Sequence, residues 1–344
     1  MTEVSFPGLG WHFNINNVLF SFGNVEVYWY SILVCGGMLF CAILAMLDSK
    51  KNRFSEDTVA DIMLITIPCA IIGARAYYVI CEWDYYKGDI HKILDVRSGG
   101  LAVYGGIILT VIGLFVFSKI KKIPFDVLLD YGLAYVPLGQ AIGRWGNFFN
   151  QEAFGTTTTL PWGMTSAKVQ EYLQHNCPNL DSSMPVHPTF LYESLCNLTL
   201  FFIIRYVRRK CKYRYEITSM YLIGYGIARF FIEGLRTDSL YIGDTGIRTS
   251  QLLSLILVLV GLGTIVYVRY NKLERNELPA SCFTVKTAAQ VRAIEAAEAA
   301  VETKTSSEKA AESKQTVKAE KKSNNSGKNN SGNKKKSSSG KKRK

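Results

Sequence analysis

The chain has 344 residues, 48% of them hydrophobic, with 40 Lys and Arg against 28 Asp and Glu, a formal charge of +12. That charge is not spread evenly: residues 272–344 hold 18 Lys and Arg, 8 Glu and no Asp, so +10 of the +12 sits in a tail and the high pI says little about the body. The eight cysteines (35, 41, 69, 81, 177, 196, 211 and 282) show no CxxC pair and no metal-ligand spacing; they read as small hydrophobes, and no metal or specific nucleic-acid partner is expected.

Residues 1–26 contain no Lys or Arg, hence no basic n-region, and a cleavable signal peptide is not expected. A membrane-spanning helix needs about 20 mostly apolar residues. Seven stretches qualify: 27–47, 58–81, 99–118, 126–145, 187–207, 218–236 and 250–269, the fourth interrupted or bounded by Asp126, Asp130 and Arg144. The expected fold class is an all-α polytopic membrane protein with seven transmembrane helices. The expected domains are a membrane body over 1–271 and a polar, low-complexity tail over 272–344. Basic clusters follow the first, third, fifth and seventh stretches, which places the N-terminus outside and the C-terminus in the cytoplasm. Residues 285–302 are Ala- and Glu-rich and could form a short surface helix, whereas 303–344 cannot bury enough apolar surface to order. The tail reads as solvated, or as a contact for anionic lipid or nucleic acid.

Polar residues interrupt the apolar stretches at five places. Tyr28-Trp29-Tyr30-Ser31 opens the first, where aromatic residues fit an interfacial belt. RSGGLAVYGG at 97–106 opens the third; its glycines permit close packing, and Tyr104 is either a packed ring or a site hydroxyl. GRWGNFFNQEAFG at 143–155 ends the fourth and supplies Arg144, Asn147, Asn150 and Glu152, with Arg144, Asn147 and Gln151 on one face if the helix continues. An arginine near a bilayer needs a partner, and its planar fork suits a phosphate or carboxylate. HPTFLYE at 187–193 places His187 before Pro188 and carries Glu193 into the fifth stretch. RFFIEGLR at 229–236 places Arg229, Glu233 and Arg236 on one helical face, so that Glu233 neutralises one arginine and the other stays free for an anion, unless the cluster is wholly structural.

Residues 143–155 match G-R-x-G-N-F-x-N-x-E-x-x-G at every fixed position, and this signature, with the GG-x-x-x-x-GG, HP-x-x-LYE and RF-x-x-E-x-x-R stretches in order, resembles the bacterial prolipoprotein diacylglyceryl transferases over most of residues 20–270. The resemblance implies an enzyme of the bacterial cytoplasmic membrane, without a cofactor and with its active site toward the outer face. Its implied partners are phosphatidylglycerol, membrane lipids and the signal peptides of prolipoproteins. It would move the diacylglyceryl group to the lipobox cysteine thiol and release glycerol 1-phosphate. Arg144 and Arg236 match the arginines that handle phosphate. Asn147, Glu152 and Gly155 match further signature positions, Asn150 and Glu233 lie within the same stretches, and Tyr30 matches the tyrosine of the family's W-Y pair at the start of the first apolar stretch. Many relatives carry a histidine, proposed as the base, where this chain has Tyr104, and a second histidine where it has Tyr28. An ordinary tyrosine with a pKa of about 10 is a poor base at neutral pH. The open alternatives are an ionised Tyr104 beside an arginine, a carboxylate such as Glu152, or a thiol that needs no dedicated base. The competing readings are an anionic-lipid or small-anion transporter using the same arginines, and a non-catalytic membrane assembly protein with a regulatory tail.

Overall fold

A computed structural model describes residues 2–23, 25–49, 54–96, 99–243 and 245–275. The expected 285–302 helix and the disordered basic end of the tail lie outside the described residues. In chain order the elements are β1 (Thr2–Phe6), β2 (Trp11–Ile15), β3 (Val18–Phe22), β4 (Val25–Tyr28), α1 (Trp29–Asp48), α2 (Glu56–Cys81), α3 (Trp83–Tyr86), α4 (Ile90–Leu94), α5 (Val103–Lys121), α6 (Phe125–Leu133), α7 (Val136–Asn150), β5 (Thr165–Ser166), α8 (Ala167–Asn176), α9 (Thr189–Val207), α10 (Glu216–Leu235) and α11 (Thr249–Tyr270).

The body is helical, and five of its helices are long and apolar enough to cross a membrane: α1, α2, α5, α9 with its extension to Lys210, and α11. Their outward faces are apolar, with Leu39, Leu64, Ile72, Ile107, Phe202 and Leu259 all exposed. Helices that are apolar on every side belong in hydrocarbon, and this is an integral membrane protein that crosses the bilayer several times. The two remaining apolar stretches are helical but fall outside that measure. α10 carries Glu216, Arg229 and Glu233. The fourth stretch, expected as one helix over 126–145, is broken into α6 and α7 at Ala134–Tyr135. Pro137 follows in the first turn of α7, where its missing N–H leaves no bond unmade.

Two packed cores sit at opposite ends of the helices. One joins Ala45, Phe54, Val59, Phe117, Val127, Tyr131, Phe201, Ile204 and Ile217, from the end of α1, the start of α2, the end of α5, α6, the end of α9 and the start of α10. Two buried polar side chains there are hydrogen-bonded: Tyr131 donates to the Ala45 carbonyl at 2.6 Å, and Asp130 Oδ1 accepts from the Thr218 amide and hydroxyl at 2.9 and 2.7 Å. The other core joins Val4, Phe6, Ile15, Phe148, Phe154, Met164, Val169, Leu173, Val186 and Phe190. It belongs to a small cap that composition and periodicity do not announce. β1 is flanked antiparallel by β2 and β5, β3 pairs with β4, and α8 lies between the fourth and fifth apolar stretches. β4 runs directly into α1, so the cap stands at the end of the bundle where α1, α5 and α9 begin and α7 and α10 finish.

α2 and α5 cross in close contact. A Cβ on Gly73 would lie 2.4 Å from the Gly105 carbonyl oxygen, and one on Gly105 would lie 2.2 Å from that of Gly73. Gly105 and Gly106 of the 97–106 stretch therefore serve helix packing, as small residues do between membrane helices, whereas Gly99 and Gly100 turn the chain at positive φ before α5.

Candidate active site

α7 ends with Asn150, and two left-handed positions shape the turn beyond it. Gln151 (φ 51°) caps the helix with its N–H on the Phe148 carbonyl, the Glu152 N–H reaches the Asn147 carbonyl, and Ala153 (φ 56°) turns the chain again. Gln151 is buried in this cap, so it does not continue the Arg144–Asn147 face as an unbroken helix would have it. The turn throws Glu152 back over the end of the helix. Its Oε1 accepts from the carboxamides of Asn147 (2.9 Å) and Asn150 (3.2 Å), and among the described residues its Oε2 accepts nothing. Arg144, one turn below, donates to Asn147 Oδ1 at 3.3 Å. Arg144, Asn147, Asn150 and Glu152 thus form one connected chain at the end of α7.

Gly155 stitches this loop to two other helices. Its N–H donates to the His187 carbonyl at 2.9 Å, the Thr156 N–H donates to the Leu235 carbonyl at 2.7 Å, and Gly155 forms an antiparallel bridge with Arg236. A Cβ here would meet His187 Cβ at 2.7 Å and the Leu235 carbonyl at 3.1 Å, so close approach demands glycine. Through this seam the start of α9 and the end of α10 are fixed against the Glu152 turn.

The charged groups interlock below it. Glu193, nearly buried on α9, bridges two arginines, Oε2 to Arg144 and Oε1 to Arg229 of α10; Arg229 also pairs with Glu233 one turn on. The expected Arg229–Glu233 pair is present. Arg236, expected to stay free for an anion, is instead engaged: α10 ends there, and the guanidinium donates to both Asp238 oxygens at 2.8 and 2.7 Å. One layer deeper, Gln140 donates to the Tyr221 hydroxyl at 3.0 Å, and Tyr221 stacks on Tyr225 at 5.6 Å. Gln140 and Arg144 are one turn apart on α7, and Tyr221, Tyr225 and Arg229 follow one another at one-turn intervals on α10, so polar groups line the seam between the two helices.

Tyr30 lies at the start of α1 against Gly146, where an added Cβ would sit 2.7 Å from its ring, and Trp29 stacks on Phe149 at 4.8 Å. Tyr30 is 41% exposed, so its ring both packs on α7 and faces outward. Tyr104 opens α5 half-exposed, close enough to Tyr225 of the polar seam to interact with it electrostatically, and no hydrogen bond or ion pair among the described residues joins it to Arg144, Arg236 or Glu152. Tyr28 donates to Glu26 at 2.7 Å within the cap. His187 sits between the Gly155 seam and Tyr192, its Nδ1 3.1 Å from the Tyr192 hydroxyl; burial lowers its pKa below the usual histidine value.

The matches to known proteins cover this same body. A family model described as prolipoprotein diacylglyceryl transferase spans residues 17–267. The chain belongs to this family. A phosphatidylglycerol–prolipoprotein diacylglyceryl transferase of Finegoldia magna is 46% identical over 259 residues, 75% of this chain and 97% of that protein. Proteins of the same name from Clostridioides difficile and Listeria monocytogenes serotype 4b are 38% and 40% identical, over 77% and 74% of this chain and 99% and 90% of theirs. As a member of the prolipoprotein diacylglyceryl transferase family, the chain is a transferase of lipoprotein biosynthesis.

Two groups in this transferase are absent from the sequence-derived candidates. Asp238 gives no signal, being one acid in a polar loop. Arg75 does give one, an arginine inside an apolar stretch. It is buried, and its guanidinium donates to the carbonyls of Ile93 (3.0 Å), Gly99 (2.7 Å), Gly100 (3.0 Å) and Lys92 (2.5 Å), over the ring of Tyr86. It anchors the connection that leads into Tyr104.

Proposed function

We propose that the chain transfers the diacylglyceryl group of phosphatidylglycerol to the lipobox cysteine thiol of a prolipoprotein, forming a thioether and releasing glycerol 1-phosphate. The observation that carries this reading is the convergence of Arg144, Arg236 and Glu152 at one end of the bundle through the Gly155 seam, in a chain of this family. In the reaction the sulfur bonds to a glyceryl carbon, the bond from that carbon to the phosphate oxygen breaks, and the electron pair leaves with the phosphate. Arg144 and Arg236 stabilise the developing charge more effectively in a water-poor site than solvent would. Asn147, Asn150, Tyr30 and Gly155 shape the headgroup site, and Glu233 holds Arg229 beside it.

Glu152 is the proton acceptor favoured by the geometry. Its Oε2 is uncommitted among the described residues, while two carboxamides hold Oε1. A tyrosine serves as a base at neutral pH only beside a cation that stabilises the phenolate, and no arginine pairs with Tyr104 among the described residues. Tyr104 is assigned to binding the substrate at the opening of α5. The thiol, with an ordinary pKa of about 8.5, is already a few per cent ionised at neutral pH, and the arginines raise that fraction.

The proposed placement is the bacterial cytoplasmic membrane with seven spans, α6 and α7 together making the fourth, the N-terminal cap outside and the tail inside. The Lys and Arg distribution supports it, and it puts the site at the outer face. The test is a gel-shift lipidation assay with phosphatidylglycerol vesicles and a lipobox peptide. Wild type is expected to shift the peptide, Glu152→Gln and Arg144→Ala to leave it unshifted, and Tyr104→Phe to shift it at a reduced rate. Full activity in Glu152→Gln would remove Glu152 as the base, and no shift with wild type would favour the transporter reading.

A further inference from the structure

Three arginines of the site, Arg144, Arg229 and Arg236, stand against three carboxylates, Glu193, Glu233 and Asp238, and each arginine is already ion-paired. A fourth, Arg248, gives one N–H to the Glu233 carbonyl and stands over the Tyr241 ring. A phosphate that arrives to be gripped by two arginines therefore meets forks that are occupied, and a carboxylate has to give way. Burial decides which one. The side chains of Glu193 and Glu233 are 6% and 2% exposed, and displacing either would strand a charge where water cannot reach it. The Asp238 side chain is 34% exposed and needs only to swing outward to be hydrated. Its hold on Arg236 is bidentate, on Nε and Nη2, the two-point geometry a phosphate would use on the same edge of the guanidinium. The rest of Arg236 is held independently of Asp238, because its backbone is bridged to Gly155.

Resting on the function proposed above, we propose that Asp238 is a positioning residue that occupies Arg236 as a displaceable stand-in for the lipid phosphate, leaving when phosphatidylglycerol binds and returning to expel the phosphate product. The exchange is carboxylate for phosphate on an arginine that keeps its place. Between turnovers the pair keeps Arg236 oriented; after transfer, Asp238 competes with glycerol 1-phosphate for the same fork. The competition weakens substrate and product binding together, and so distinguishes Asp238 from a residue that merely supports the loop.

The test compares full-length wild type, Asp238→Asn and Asp238→Glu in detergent. The KM for phosphatidylglycerol and the inhibition constant of glycerol 1-phosphate are measured in the transfer assay, and binding of glycerol 1-phosphate by calorimetry. In Asp238→Asn all three constants are expected to fall together by about fivefold, the scale of losing one competing pair that is a third exposed. In Asp238→Glu they stay near wild type. Unchanged or weaker glycerol 1-phosphate binding by Asp238→Asn overturns the proposal. Calorimetry reads this even if the wild type transfers nothing, which would instead count against the function proposed above.

Discussion

Glu193 holds the charged layer together, and replacing it with glutamine tests that role. The substitution preserves shape and one donor–acceptor pair but removes the charge facing both Arg144 and Arg229. Removing one partner of a fully buried pair costs about 3–5 kcal/mol. Two features reduce that figure here. Arg229 keeps Glu233 as a second partner, and the Arg144 side chain is 25% exposed and can be partly hydrated. The expected loss is about 2–3 kcal/mol, which for a body of this size lowers the thermal midpoint in detergent by about 5–10 °C. The double change Glu193→Gln with Arg144→Ala should cost less than the sum of the single changes, with a coupling of at least about 1 kcal/mol. An unchanged midpoint in Glu193→Gln, or strict additivity in the double variant, would refute the view that this carboxylate positions the two arginines.

Gly155→Ala places a Cβ against His187 and the Leu235 carbonyl, both parts of the backbone seam. The expected result is a folded membrane body with transfer activity lowered by about 100-fold or more, because small misplacements of reacting groups cost on that order; wild-type rates would show that the seam is not needed. Arg75→Met leaves four carbonyls between Lys92 and Gly100 without their donor, and the 87–100 connection should become sensitive to limited proteolysis while the helices stay intact. Equal cleavage rates in wild type and variant would count against the anchor. His187 provides a pH prediction: its folded-state pKa lies below the unfolded value of about 6.5, so the folded protein binds fewer protons and stability declines as pH falls through that value. The thermal midpoint of wild type should drop between pH 7 and pH 5.5 by more than that of His187→Gln, and identical curves would remove His187 as the cause.

Much of this transferase was legible in its sequence because membrane helices are written in composition. The seven apolar stretches fall on helices of the structure, and the 143–155 signature names the residues that gather at one end. The Arg229–Glu233 spacing also pointed to an ion pair. The cap was not legible: β1 to β4 are short, and β1 is fixed on one side by pairing with β5 about 160 residues away. The break between α6 and α7 had only Pro137 to announce it.

What the sequence determined alone was the set of apolar stretches that become helices and the stock of charges, since both arise from local composition and one-turn spacing. What only the tertiary structure decided was which charge faces which. Glu193 meets Arg144 across 49 positions and Gly155 meets Arg236 across 81, both by helix packing, whereas Asp238, two residues from Arg236, takes the fork that spacing had left open because α10 ends there and turns the chain back on the guanidinium.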